Sequence, residues 1–371
     1  MKLLVTIVDG LGDEVYGELG NKTPLDFAKT PNFEKLGKSG SFGYLDTEKK
    51  GFPIESSYCI LNIFGAEEKA FSIGRSFYEA KAMGIDVSKG QSVIRLNIVS
   101  TDESGALTSF NALGLTNAQV EKVFQTIEKK YPMTYFMGGY KGLMFFQTVD
   151  ISPSSLSLSP HENLGQNYNN LINKNIGENV FLQNVLEDIN SILKEYDKQN
   201  IKYKGYFYSK EENKSIKSFC DIYGKNAGFV GATEIAVGIA GAMKMDTIVP
   251  VDTNGDTDTN LKAKWLAAKR LLEKYDVCYV HINGCDEASH RKNLHQKIRF
   301  IERIDKEFFG DIIKETNGNI GIIAVADHIT SANTGTHKIG KVPFITNING
   351  INNPTIKTVW DITKKALKGR L

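Results

Sequence analysis

The sequence predicts an α/β protein: a mainly parallel sheet with helices on both faces, carrying a smaller inserted α+β domain. Three observations predict it. Continuous apolar runs of strand length recur and, in the final third, alternate with helical stretches, as in a sheet buried on both faces. Several of these runs end in polar turns rich in Asp, Gly and His, at the strand ends where open α/β sheets place their ligands. From about residue 88 to 214 the segments become shorter and richer in Asn, Ser and Tyr. That shift marks a second domain, so the expected division is a core of residues 1–87 and 215–371 around an insert of 88–214.

The first element is residues 3–8, an apolar run ending at Asp9-Gly10-Leu11-Gly12-Asp13. Its length and its glycine-rich exit read as a buried parallel strand followed by a sharp turn. Thr30-Pro31-Asn32 opens a short amphipathic helix with Phe33 and Leu36 inward, and residues 41–45 form the next strand. The Gly51-Phe52-Pro53 loop leads to Ser56-Ser57 and an apolar helical stretch, 60–64. In the insert, 92–99 and 133–149 read as hairpin strands. Beyond it, the small-residue stretch 231–243 is helical and 247–251 is a strand. Residues 261–274 form a helix with Trp265, Ala268 and Leu272 on one face. Strand 277–282, long helix 294–316, strands 320–326 and 342–346, and a terminal helix complete the chain.

Bulk properties narrow the function. The 371 residues carry 45 Lys and Arg against 43 Asp and Glu, a net charge of +2. Such balance gives no field to attract nucleic acid or an anionic membrane, so any anion chemistry is local. The opening MKLLVTIV is cut short by Asp9 and no small-residue cleavage site follows, which favours a strand over a secretion signal. No apolar stretch reaches the roughly 18–20 residues that a spanning helix needs. Cys59, Cys220, Cys278 and Cys285 are scattered without a Cys-x-x-Cys pair, so neither a disulfide framework nor a thiolate zinc site is indicated and a cytoplasmic setting fits. No feature fixes an oligomeric state.

Chemistry concentrates at three strand ends: Asp9; Asp286 with His290; and Asp327-His328, with His337 nine residues on. Asp286 and His290 are four apart and share a face of one helical turn. Mixed carboxylate and imidazole donors suit Zn²⁺ or Mn²⁺ rather than Ca²⁺. Each piece alone has an ordinary reading, a solvated helix face for Asp-x-x-x-His and a capped turn for Asp9. Their shared position after strands is what joins them.

In this order the segments resemble the alkaline phosphatase superfamily, and within it the archaeal-type 2,3-bisphosphoglycerate-independent phosphoglycerate mutases. VDGLGD, TPLDFAKTPNFEKLGKSG, SSYCILNIFG, GRSFYEAKAMGID, DTNGDTDTNLKAK, YDVCYVHINGCDEASH, KIRFIERID and ADHITSANTGTHKIGKVPF are similar to consecutive family blocks across nearly the whole chain. The resemblance implies two divalent ions, Mn²⁺ or Zn²⁺ before Mg²⁺ or Co²⁺. One is held by Asp9, Ser56, Asp327 and His328, the other by Asp286, His290 and His337. It also implies that Ser56 attacks a small phosphate ester and carries the phosphoryl group, returning it to another hydroxyl. Aligning Leu61 and Gly65 selects Ser56 over Ser57. The ordinary role of Ser56 is a helix N-cap, and Cys59, among apolar neighbours, reads as a buried small side chain. Three aspartates and a serine alkoxide balance two divalent cations.

The departures concern the substrate. Ser57 and Ile60 stand where the family's serine loop has an acid and a histidine, Val237 where it has a lysine, and Tyr140-Lys141 where it has His-Arg. Its arginine-rich stretch corresponds here to 102–111, which has no basic residue. Arg75, Arg95, Lys141 and His161 are the candidate substrate contacts. A phosphomutase of the phosphoglycerate type is the first reading. A metal-dependent phosphohydrolase or phosphotransferase for another small phosphate or phosphonate is the alternative.

Overall fold

The apolar residues after Lys2 form a strand, Lys2–Val8, in which every residue from Leu3 onward is buried. In the computed structural model, which describes residues 2–136, 139–147, 149, 156–349 and 358–367, this strand lies at the centre of a seven-stranded sheet. Its order is Ser41–Leu45, Val342–Thr346, Ile320–Val325, Lys2–Val8, Val277–Ile282, Ala227–Val230, Asp246–Ile248. Pairing is parallel from Ile320–Val325 through to Asp246–Ile248, and antiparallel on both sides of Val342–Thr346. The continuous burial of the inner strands follows from cover on both faces.

Two compact units divide the chain, residues 1–72 with 215–371, and residues 73–214. The second unit therefore begins fifteen residues before the expected boundary at 88. The cause is the helix Arg75–Ala82, which is bonded into the second unit's sheet. Ser76 donates from its amide to Ser209 Oγ and from its hydroxyl to the Val93 carbonyl, and the Gly74 amide donates to Glu211.

In the first unit, the helix expected at 60–64 runs Ser56–Ile63 and that at 231–243 runs Glu234–Ala242. The strand expected at 247–251 stops at Ile248. Pro250 has no amide proton for a ladder, and Val249 and Val251 are exposed. The helix expected at 294–316 contains a π turn at Ile304–Phe309. There the buried Asp305 carboxylate accepts from the amides of Asn32 and Phe33, filling the N-terminus of helix Pro31–Ser39, whose own cap Thr30 makes no such bond. The terminal helix is Val359–Leu367.

The second unit carries a five-stranded sheet. Gln91–Thr101 pairs antiparallel with Lys141–Gln147, as a hairpin reading requires, but Met133–Tyr135 is a separate short strand on the far edge of Lys141–Gln147. Parts of the 133–149 segment lie outside the described residues. A strand the sequence reading missed, Lys202–Glu212, pairs along Gln91–Thr101. Helices Asn117–Glu128 and Val180–Leu193 contribute Val123, Phe124, Leu186 and Ile189 to a buried core with Ile94, Leu96 and Phe207. Among the described residues no helix is long and apolar enough to cross a membrane.

Candidate functional site

The three central strands of the first unit, Ile320–Val325, Lys2–Val8 and Val277–Ile282, are mutually parallel and adjacent. Their C-terminal ends share one edge of the sheet, and each is followed by a candidate ligand segment. Asp9 follows Lys2–Val8 directly. Asp286 and His290 lie on the helix Gly284–His290 after Val277–Ile282, and Asp327-His328 follow Ile320–Val325. Gly10 permits this convergence. It has φ +68°, and a Cβ there would come within 2.6 Å of the Asp286 Cα, so only glycine lets the turn approach the helix. Backbone bonds then lock the edges: the Asp286 amide donates to the Asp9 carbonyl and the Gly10 amide to Asp327 Oδ1.

Two donor clusters result. Asp9, Asp327 and His328, all buried, form one; Asp286, His290 and His337 form the other, and within each the ligand atoms lie within 4.8 Å of one another. Ser56 joins the first. Its Oγ lies 3.0 Å from His328 Nε2 and 3.4 Å from Asp9 Oδ2. Ser56 is the first residue of its helix, and Glu55 occupies the cap position. The hydroxyl therefore faces the cluster instead of closing the helix end. Ser57 Oγ, the alternative, instead lies 3.5 Å from Glu55 Oε2. Cys59 is buried, and burial pushes its thiol up, away from the nucleophilic thiolate.

Hydrogen bonds aim the imidazoles. His290 Nδ1 is 2.8 Å from the Gly335 carbonyl and His337 Nδ1 is 2.8 Å from the Ile54 carbonyl. A carbonyl only accepts, so each Nδ1 carries the proton and each Nε2 faces the cluster as the ligating atom. His290 Nε2 is 3.1 Å and His337 Nε2 3.4 Å from Asp286. Two residues that the ligand motifs do not include support the centre. His281 Nε2 lies 3.1 Å from Asp9 Oδ2 and its Nδ1 3.3 Å from Thr233 Oγ, while its carbonyl accepts from the buried Lys264. Thr330 Oγ lies between Asp286 and His328. The sequence signal for His281 was a polar residue inside an otherwise apolar buried strand, VCYVHI.

The electrostatics fit a cation. Burial, then the neighbouring charges of Asp327 and Asp286, raise Asp9 well above the carboxylate range. Burial would also raise Asp286, but the adjacent imidazoles of His290 and His337 hold it well below that range. Burial pulls His290 down, but Asp286 outweighs this and sets it at about 9. Burial brings His281 down to about 4, so it is a neutral imidazole. Asp9 Oδ1, Asp327 Oδ2 and His337 Nε2 are buried without a hydrogen-bond partner. Buried oxygens and an imidazole nitrogen left open at one place, among crowded carboxylates, are the donor set that divalent ions satisfy.

Comparison with known proteins gives the family. The sequence matches the Metalloenzyme superfamily over residues 1–366. The chain belongs to this superfamily. A Geobacter sulfurreducens relative named as a probable 2,3-bisphosphoglycerate-independent phosphoglycerate mutase is 27% identical over 361 residues, 93% of this chain and 90% of the relative. The 2,3-bisphosphoglycerate-independent phosphoglycerate mutase of Pyrococcus horikoshii is 28% identical over 397 residues, 100% of this chain and 93% of the relative. A solved structure of a P. horikoshii protein shares the fold with a TM-score of 0.76 at 24% identity, covering 100% of this chain and 98% of that one.

In this metalloenzyme the candidate substrate residues all lie in the second unit. Arg95 is buried and ion-pairs with Glu79, its Nε donates to Asn97 at 3.0 Å, and its guanidinium lies 4.9 Å from the Tyr208 ring centre. Arg75 Nε donates to the same Glu79 oxygen at 2.9 Å. Burial would raise Glu79, but the charges of Arg95, Arg75 and Lys141 together hold it below its ordinary range. Two of the four candidates thus meet on one carboxylate that the sequence reading had not singled out, and the charge of a third acts on it. His161 is exposed and meets the Phe110 ring edge-on, with centroids 6.0 Å apart.

Proposed function

We propose that this protein is a metal-dependent phosphomutase interconverting 2- and 3-phosphoglycerate, with Ser56 as the phosphoryl carrier. The observation that carries the reading is the position of Ser56 Oγ, in contact with both His328 and Asp9 inside the buried ligand cluster. The names of relatives that cover more than nine-tenths of the chain support the substrate.

Asp9, Ser56, Asp327 and His328 would hold one divalent ion, and Asp286, His290 and His337 the other. Mn²⁺ or Zn²⁺ suits these donors. When bound, the ions supply the charge that lowers the serine pKa and stabilises the phosphoryl oxygens. The rest falls to the chain. Asp9 and His328 orient Ser56 Oγ. The first turn of Ser56–Ile63 presents backbone amides where an anion is favoured. Attack of Oγ on phosphorus breaks the ester bond, leaves phosphoserine, and releases the substrate's oxygen as a hydroxyl. Transfer from phosphoserine to the neighbouring hydroxyl of the same glycerate completes the isomerisation. Arg75, Arg95, Lys141 and His161 are the proposed contacts to the glycerate.

A phosphohydrolase or phosphotransferase acting on another small phosphate or phosphonate is favoured by one observation. Ile60 and Val237, which replace family cationic positions, are buried apolar residues on two helices that pack together, so neither can hold a substrate carboxylate.

The test supplies purified protein and Mn²⁺ with 3-phosphoglycerate and detects the 2-isomer through enolase. Formation of the 2-isomer is the expected result. Phosphate release from an aryl phosphate without isomerisation would overturn the mutase reading in favour of the hydrolase.

A further inference from the structure

Thr330 is no ligand candidate, yet it touches both donor clusters. Its Oγ lies 2.7 Å from Asp286 Oδ1 and 3.0 Å from His328 Nδ1. A hydroxyl has one proton to give, and an ionised carboxylate can only accept. The proton therefore goes to Asp286, and the hydroxyl oxygen accepts from Nδ1–H of His328. This fixes the His328 tautomer with a bare Nε2. That nitrogen is the atom 3.4 Å from Asp9 Oδ1, 3.3 Å from Asp327 Oδ2 and 3.0 Å from Ser56 Oγ.

The residue is held so that it can impose this geometry. Its amide donates to the Gly12 carbonyl, and its own carbonyl accepts from the buried Lys297 ammonium, which also binds Gly12 and Asp13. In the short ladder Ile329–Thr330 with His337–Lys338, Thr330 is the register partner of His337. One residue thus contacts a ligand of each cluster through its side chain and pairs with a third ligand through its backbone. It is fully buried, so solvent cannot take the place of its hydroxyl.

We propose that Thr330 is a positioning residue whose hydroxyl couples the two ion sites, holding Asp286 for one and the His328 tautomer for the other. The inference rests on the two-ion reading of the centre, not on which phosphate ester is turned over. Removing the hydroxyl weakens both ions together, because the same proton arrangement orients both ligands.

The experiment titrates chelator-stripped protein with Mn²⁺ by calorimetry and follows bound Mn²⁺ by electron paramagnetic resonance. Wild type, Thr330→Val and Thr330→Ser are compared. Thr330→Val keeps the shape and removes the hydroxyl; Thr330→Ser keeps the hydroxyl. The expected result is two ions in wild type, roughly 10–100-fold weaker binding of both in Thr330→Val, and near wild-type binding in Thr330→Ser. Circular dichroism of the metal-free variants establishes that they are folded. Weakening of one ion alone, unchanged binding in Thr330→Val, or equal loss in Thr330→Ser would each overturn the coupling. If wild type binds two ions but does not isomerise phosphoglycerate, the mutase reading falls and the coupling stands. If wild type binds no pair of ions, both fall.

Discussion

Ser56 begins its helix instead of capping it, and that single position decides where its hydroxyl points. A capping serine gives its oxygen to backbone amides of the first turn; here the oxygen meets His328 and Asp9. Ser56→Ala is expected to lower turnover on the order of 10⁴–10⁶-fold, as loss of a nucleophile does, with little change in thermal stability, checked by the coupled assay and an unfolding curve. His281→Ala is expected to weaken divalent-ion binding roughly 10–100-fold by removing the imidazole that meets Asp9 Oδ2; a calorimetric titration with Mn²⁺ checks it. The candidate ligands were legible in the sequence because acids and histidines after buried strands are few and conspicuous. The roles of His281 and Thr330 were not, because they depend on which atom faces which, and residue type and spacing do not encode that.

At the scale of elements, the apolar runs of the first unit announced its strands, but not their directions. Val342–Thr346 is as fully buried as its parallel neighbours and yet runs against them. Burial on both faces removes the alternation that would otherwise distinguish strand environments. In the second unit, Lys202–Glu212 escaped notice because Lys, Gly and Glu lower its strand propensity. The helix Arg75–Ala82 was assigned to the wrong unit because its attachment is made by long-range bonds to Ser209 and Val93. The Glu79 ion pairs tie this helix to the sheet and yield a pH prediction. Because the folded Glu79 carboxyl is held below its unfolded value near 4.5, the folded unit binds fewer protons there. Stability from this group is fully present above that value and is lost as pH falls through the folded one. Wild-type unfolding between pH 5 and 3 is expected to show this loss, and Glu79→Ala to reduce the dependence. At neutral pH the same variant leaves Arg95 buried and unpaired, at a cost of about 3–5 kcal/mol, measured by denaturant unfolding.

Over the whole molecule, apolar runs alternating with helical stretches placed the chain in its fold class, while the shift in composition near residue 88 marked the second unit fifteen residues after its start at 73. Both candidate donor clusters lie within the first unit, on segments between Asp9 and His337. Ions bound there therefore stabilise that unit's folded state. At an ion concentration one hundred times Kd, each adds about 2.7 kcal/mol. Differential scanning calorimetry with Mn²⁺ and with chelator is expected to raise one transition by several degrees and leave the other in place. Equal movement of both transitions would show that the ions act on more than the first unit.

The most direct test of the account is to quench the Mn²⁺-loaded enzyme during turnover of 3-phosphoglycerate and locate phosphate by peptide mass spectrometry. The account predicts phosphoserine at Ser56, absent after chelation and absent in Asp9→Asn. Phosphate on any other side chain, or steady turnover with Ser56 unmodified at every time of quenching, would contradict it.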